Sequence, residues 1–337
     1  MKKRLLASLL ALFNLVTLGI YVRRLFKKEV TVLAYHRVLD VGNCSQYKYD
    51  RELISATPEM FDAQLQFLKR HYDVIDLVTL NDRLRNNSIT GKELVITFDD
   101  GFSDNYSNAF PLLKSHGIPG VFFVSTGYIG AQSTFWFNDV VCAINSADQL
   151  KFKLGKHDVD LSASTDNREQ CIQQTLRYLK KSPNSDRIQA IGSLFKQLNY
   201  DLHNTPELEH PMTWDNVKEM HAAGMEIGSH TVSHPILSRL TEQELHDEIY
   251  NSKSILESQL NTPCNSIAYP VGGYDEFNQK VETLCQSAGY NFGLSYVSGI
   301  NSPTLDNRYN MKRLHVEEFI QMPEFKLMLC LPELYSR

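Results

Sequence analysis

Short apolar, β-branched runs alternate along this chain with amphipathic stretches, and most runs end abruptly in a polar or glycine-rich tip. Residues 30–37, 94–98, 120–125, 226–230, 266–270, 292–296 and 312–316 read as seven strands, near-continuously apolar as strands covered on both faces are. Helix patterns lie between them. Thr57-Pro58 supplies an N-cap and a first-turn proline ahead of a stripe of Phe61, Leu65 and Leu68. Thr213-Trp214-Asp215 opens a helix that stops at Gly224, and Thr241-Glu242-Gln243-Glu244 is a capping box before an inner face of Leu245, Ile249, Ser252 and Leu256. This alternation predicts an α/β protein whose parallel sheet closes, or nearly closes, into a barrel. It breaks between about residues 127 and 211. Phe135-Trp136-Phe137, two helical patterns at 170–179 and 188–198, and a polar link at 181–186 read as a helical insertion in the barrel, serving as lid, substrate rim or oligomer contact, or as a subdomain without chemistry.

The first 28 residues form a separate object, with seven Lys/Arg and no acid. From Leu5 to Val22 the run is apolar apart from Ser8, Asn14 and Thr17, just long enough to span a bilayer, for which about 20 residues is usual. The expectation is an N-terminal membrane anchor (residues 1–28) that leaves residues 29–337 exported to a periplasm or cell surface. A signal segment cleaved near Thr17-Leu18-Gly19, giving a secreted body, is the competing reading. That body carries 27 basic against 39 acidic side chains, a formal charge of −12, which excludes a nucleic-acid groove. The six cysteines include no Cys-x2-Cys pair, so no thiolate zinc site is expected; disulfides are permitted, with 15 full pairings open.

Two strand tips carry the chemistry. Thr97-Phe98-Asp99-Asp100-Gly101 puts adjacent carboxylates at the end of a buried strand, with Gly101 free to turn. Side chains alternate along a strand, so one carboxylate can work on a substrate while its neighbour holds something else. A plain Asp-Asp-Gly turn is the bland alternative. Downstream, Ser229-His230-Thr231-Val232-Ser233-His234 spaces two histidines four apart, on one face if the backbone is helical there. One carboxylate and two imidazoles make a donor set suited to zinc or a related divalent ion, with positions left open for water and substrate.

Together these motifs resemble the polysaccharide deacetylase family (carbohydrate esterase family 4) over residues 30–316. The resemblance implies a distorted (β/α)7-type barrel that removes N-acetyl groups from a polysaccharide or cell-envelope glycan with one divalent ion, zinc first. Asp99 matches the family's general base, and Asp100, His230 and His234 match its metal ligands. Ala268-Tyr269-Pro270-Val271-Gly272 stands where the family has Arg-x-Pro-Tyr-Gly, assigning Tyr269, Pro270 and Val271 to substrate binding while leaving the arginine missing. The family's Asp-x-x-Asp-Trp motif is not visible. Leu33-Ala34-Tyr35-His36-Arg37, ahead of the Asp-Asp strand, resembles the circularly permuted branch that acts on biofilm poly-N-acetylglucosamine, which makes His36 the general acid; His315 is the rival. Two other readings stay open: a non-catalytic carbohydrate binder on the same barrel, and a deacetylase of peptidoglycan or a lipid-linked sugar.

Overall fold

A computed structural model describes residues 15–42, 46–161, 165–202, 205–304 and 307–336. Seven strands, β1 (Thr31–Tyr35), β2 (Glu93–Phe98), β3 (Val121–Val124), β4 (Glu226–Ser229), β5 (Ser266–Ala268), β6 (Phe292–Ser298) and β7 (Met311–His315), pair in chain order, all parallel. The ring closes because β1 also pairs with β7, Leu33 opposite Leu314 and Ala34 opposite His315. Around it lie α1 (Leu15–Phe26), α2 (Pro58–His71), α3 (Leu77–Arg85), α4 (Phe110–His116), α5 (Trp136–Ser146), α6 (Thr165–Lys181), α7 (Asn184–Gln197), α8 (Trp214–Ala222), α9 (Glu242–Leu260), α10 (Gln279–Ser287) and α11 (Met322–Cys330). Local chemistry sets their ends. Thr57 accepts from the Met60 N–H before α2, capping boxes open α8 and α9, and Gly117 ends α4 in the left-handed region at φ 64°.

Every residue of β1, β2 and β3 is buried, and alternation divides their side chains between two cores. Leu33, Ile96, Phe98 and Phe122 join the large cluster shared with the surrounding helices. Val32, Val95, Phe123, Leu294 and Met311 join Leu77, Leu80 and Leu84 of α3 in another. The short strand Asp73–Val74, just ahead of α3, pairs with the first residues of β2, so α3 plugs the N-terminal end of the barrel. Towards the C-terminal strand ends the buried positions turn polar, at Thr97, Asp99 and Arg313.

The segment between β3 and α8 holds α5, α6 and α7 and a hairpin of Leu150–Leu154 with His157–Leu161. The hairpin was not anticipated, although Leu150–Leu154 alternates buried and exposed as a half-covered strand does. This segment has its own core of Val140, Ile144, Leu150, Leu179 and Leu194, which continues into Phe102 and Ile236 of the barrel loops.

The expected anchor meets the structure at Leu15; residues 1–14 lie outside the described residues. From Leu15 the chain forms a 12-residue helix, α1, whose Val16 and Ile20 are buried against the body. Among the described residues no helix is long and apolar enough to cross a membrane. The five described cysteines, Cys142, Cys171, Cys264, Cys285 and Cys330, are buried free thiols; Cys44 lies outside the described residues.

Candidate metal centre and active site

The Asp99–Asp100 pair sits where β2 ends. The Asp99 N–H donates to the Tyr35 carbonyl, extending the β1–β2 register by one residue, and Asp100 then enters the left-handed region at φ 73°. That turn aims the two carboxylates at different partners. Asp100 Oδ1 lies 3.5 Å from His230 Nε2 and 3.2 Å from His234 Nε2, with all three side chains buried. The backbone between the histidines is not helical. They meet across a turn with Thr231 at φ 68° and His234 at φ 52°. Three non-glycine residues at positive φ around one cluster mark stored backbone strain, typical of a functional site.

These residues fit a divalent ion. Both Asp100 oxygens are buried without a hydrogen-bond donor among the described residues, a costly state for a carboxylate unless a cation completes it. Ligand atoms about 2.1 Å from a tetrahedral ion stand about 3.4 Å apart, and the 3.2 and 3.5 Å separations match. One ligand atom from each of the three residues falls within a 4.8 Å cluster. His230 Nδ1 faces the Ala268 carbonyl at 2.9 Å; donating there fixes the tautomer and leaves Nε2 bare for a metal. Burial pushes the His234 imidazole down to about 4, so it stays neutral as a ligand must.

Asp99 answers to a residue that the sequence reading missed. Arg313 grips it with both nitrogens, Nη1 at 2.8 Å and Nη2 at 2.7 Å, and is itself held by the Ser295 carbonyl and Thr97 Oγ1. Arg313 is fully buried. Against the pull of burial, its charge keeps the Asp99 carboxyl below the ordinary value. Position 268 is an alanine, and the arginine that meets Asp99 comes from β7. Strand alternation was the available signal, since Arg313 shares a face with His315, two residues on.

His36 stands level with Asp99 on the neighbouring strand. Its N–H donates to Ser55 Oγ and its carbonyl accepts from Asn105 Nδ2, so its backbone is pinned on both sides. The ring is partly exposed and meets Tyr296 edge-on at 5.3 Å. His315 pairs with Ala34, two residues deeper in the barrel. It lies under Tyr296 with ring centroids 3.6 Å apart, its Nδ1 faces Ser298 Oγ, and its Nε2 is buried without a partner among the described residues. Burial lowers it to about 3, which makes it a weak proton carrier near neutrality.

The loop after β5 corrects one expectation. Tyr269 is buried, its hydroxyl donates to the Tyr309 carbonyl and its ring packs on Phe277; its side chain belongs to the barrel wall rather than to a substrate groove. Pro270 is buried as well, and Val271 is half-buried at φ 61°. The N–H of Val271 has no acceptor among the described residues. The start of the insertion supplies the wall beside the candidate metal ligands: Phe137 lies 4.7 Å from the His234 ring, and Trp136 Nε1 donates to the His234 carbonyl at 2.9 Å.

Known structures share this fold. The profile described as "Polysaccharide deacetylase" matches residues 86–293. YxkH of Bacillus subtilis is 24% identical over 211 residues, 63% of this chain and 47% of that protein. A poly-beta-1,6-N-acetyl-D-glucosamine N-deacetylase of Staphylococcus aureus is 30% identical over 122 residues, 33% of this chain and 41% of that protein. The chain therefore spans less than half the length of these relatives. Among solved structures, the Streptococcus pyogenes deacetylase PplD in complex with acetate superposes with a TM-score of 0.58 at 20% identity, covering 92% of this chain and 99% of that one. IcaB from Ammonifex degensii gives 0.54 at 17% identity, covering 89% and 95%; both likenesses speak for the fold. With more than half of its length matched by that one profile, the chain belongs to the polysaccharide deacetylase family.

Proposed function

We propose that the protein is a metal-dependent hydrolase that removes acetyl groups from N-acetylated glycans. The observation that carries this is the division of labour between adjacent carboxylates: Asp100 faces two metal-ready imidazoles, while Asp99 is held apart by Arg313. A carbohydrate binder needs no second carboxylate so placed. Asp100, His230 and His234 would hold the ion, zinc by the donor set. Bound there, a divalent ion polarises the acetyl carbonyl and acidifies a water molecule.

Asp99 accepts the proton of the attacking water. Arg313 keeps it ionised and occupies one lone pair on each oxygen, leaving others free. The N–H of Val271 is available to the developing oxyanion, where one such donor is worth roughly 2.7–4 kcal/mol. His36, partly exposed and level with Asp99, hands a proton to the departing sugar amine. The relative named for poly-beta-1,6-N-acetyl-D-glucosamine supports that polymer as substrate; peptidoglycan and lipid-linked sugars are the competing substrates. The N-terminal apolar run supports a membrane-anchored, exported enzyme, matching a glycan outside the cell.

Acetate release from poly-N-acetylglucosamine oligomers and from peptidoglycan fragments tests the reading. Asp99→Asn should abolish release while metal content stays stoichiometric. Near-native turnover in that variant, or metal loss along with activity, would remove Asp99 from the role of base. His36→Ala should slow amide cleavage by about 10²–10⁴ and recover sharply on an acetyl ester with a good leaving group, which needs no proton donor. Such rescue in His315→Ala, with His36→Ala unaffected, would pass the role to His315.

A further inference from the structure

α1 has two apolar faces. On one, Val16 and Ile20 are each 2% exposed, and Gly19 sits so close to α11 that a Cβ there would lie 2.5 Å from Cys330 Sγ. At 100° per residue, Leu15, Leu18, Tyr21, Val22, Leu25 and Phe26 fall on an arc roughly 140° wide on the opposite side. These six are exposed by 44% at Val22 up to 83% at Phe26. So wide a solvent-facing apolar stripe marks an interaction surface.

Beside that stripe, α1, α2 and α11 enclose an open groove of about 590 Å³ with Leu18, Phe67 and Met322 on its apolar walls and Arg70 and Lys326 among them. Lys326 Nζ lies over the Phe67 ring at 5.1 Å. Among the described residues neither Arg70 nor Lys326 has a carboxylate partner, whereas Arg23 and Lys27 of the same region are paired with Glu29 and Glu333. An apolar stripe bordering two uncompensated cations has the chemistry of an acyl chain joined to a phosphate.

We infer that the exposed face of α1 and this groove form a binding site for an anionic phospholipid at a bilayer surface. The acyl region lies along Leu18, Leu25 and Phe26, and the phosphate lies between Arg70 and Lys326. The occupant follows from continuity and charge. The apolar run from Leu5 leads into α1 without an intervening charge. A body of formal charge −12 is repelled by an anionic leaflet everywhere except where its cations are unpaired. A second copy on the same stripe would leave those cations unneutralised. The inference rests on the reading that the N-terminal segment lies at a membrane.

Titration of the full chain with phosphatidylcholine vesicles, with and without 30% phosphatidylglycerol, separates the two. The full chain should bind both, and more tightly to the anionic vesicles. Arg70→Gln/Lys326→Gln should lose roughly 30-fold of that anionic preference, two cations' worth, while binding to neutral vesicles stays. Leu25→Asp/Phe26→Asp should weaken both. An unchanged preference in the Arg70/Lys326 variant overturns the groove. Binding to neither vesicle overturns the membrane reading with it, and anionic binding without neutral binding spares the groove alone. A lipid-free dimer in sedimentation velocity that Leu25→Asp/Phe26→Asp abolishes would give the face to a second copy and overturn the proposal. Because these side chains lie at the surface, unchanged circular dichroism in every variant is expected.

Discussion

Arg313 shows how much of this site depends on one unremarked residue. Its guanidinium and the Asp99 carboxylate neutralise each other in full burial, so removing one partner strands a charge, at about 3–5 kcal/mol. Arg313→Met should therefore lower the urea midpoint strongly and reduce turnover, whereas Asp99→Asn/Arg313→Met should regain most of the stability and none of the activity. A double variant as unstable as the sum of the single ones would mean that the pair is not coupled. At this scale the sequence was partly legible. Asp100, His230 and His234 lie together as their motifs suggested, because each leaves a strand at the same barrel end. Alternation puts Arg313 on the face of His315, but nothing local names Asp99, 214 positions away, as its partner, and Tyr269 was misplaced because a loop motif does not say which side chains turn inward.

At the scale of elements, the insertion is joined to the candidate metal site. α5 starts at Trp136, whose indole N–H holds the carbonyl of His234, and Arg187 of α7 lies 4.6 Å above the indole ring. A ligand in the left-handed region needs such support. Trp136→Phe keeps the ring and loses the donor, and should weaken zinc binding about 10–100-fold in a chelator competition, with the thermal transition of the metal-free protein little changed. Equal affinities would show that the strained turn holds itself. On the opposite rim, Glu226 of β4 accepts from the Leu77 and Val78 N–H groups at the start of α3 and from Ser266 Oγ. Burial raises its carboxyl to about 7. A carboxyl raised on folding stabilises below its unfolded value, near 4.5, and that contribution is lost as pH rises through about 7. Relative to the wild type, Glu226→Gln should gain stability across that window, by about 3 kcal/mol at pH 8; a pH-independent difference would show that Glu226 does not titrate within it. The hairpin after α5 is hard to read because its alternation spans only five residues between longer helical patterns.

At the scale of the whole molecule, the ring of parallel strands was legible because buried strands read as continuous apolar runs, and the closing pair β1–β7 follows once seven of them are counted. The N-terminal run was not resolved into its parts, because a leucine stripe looks the same whether lipid or protein covers it; Val16 and Ile20 turned out to face protein. Binding of the ion should be visible globally. At 100 times its Kd, zinc should add about 2.7 kcal/mol and raise the melting temperature by several degrees, and His234→Ala should erase that rise. A rise that survives the substitution would relocate the ion.

The closure between β1 and β7 also sets a timetable. Synthesis delivers Thr31–Tyr35 early, yet the partner on one of its sides, Met311–His315, arrives last, and α1 rests on α11, later still. Until then the nascent chain carries an open strand edge, a template for wrong pairing, and an unseated helix. Synthesis of β7 and then of α11 is what seats them, so α11 acts as a latch on α1. Chains stalled before Met322 should expose α1 to protease and aggregate, whereas chains that extend past α11 should protect it; early protection in the stalled chains would show that α1 docks without its latch.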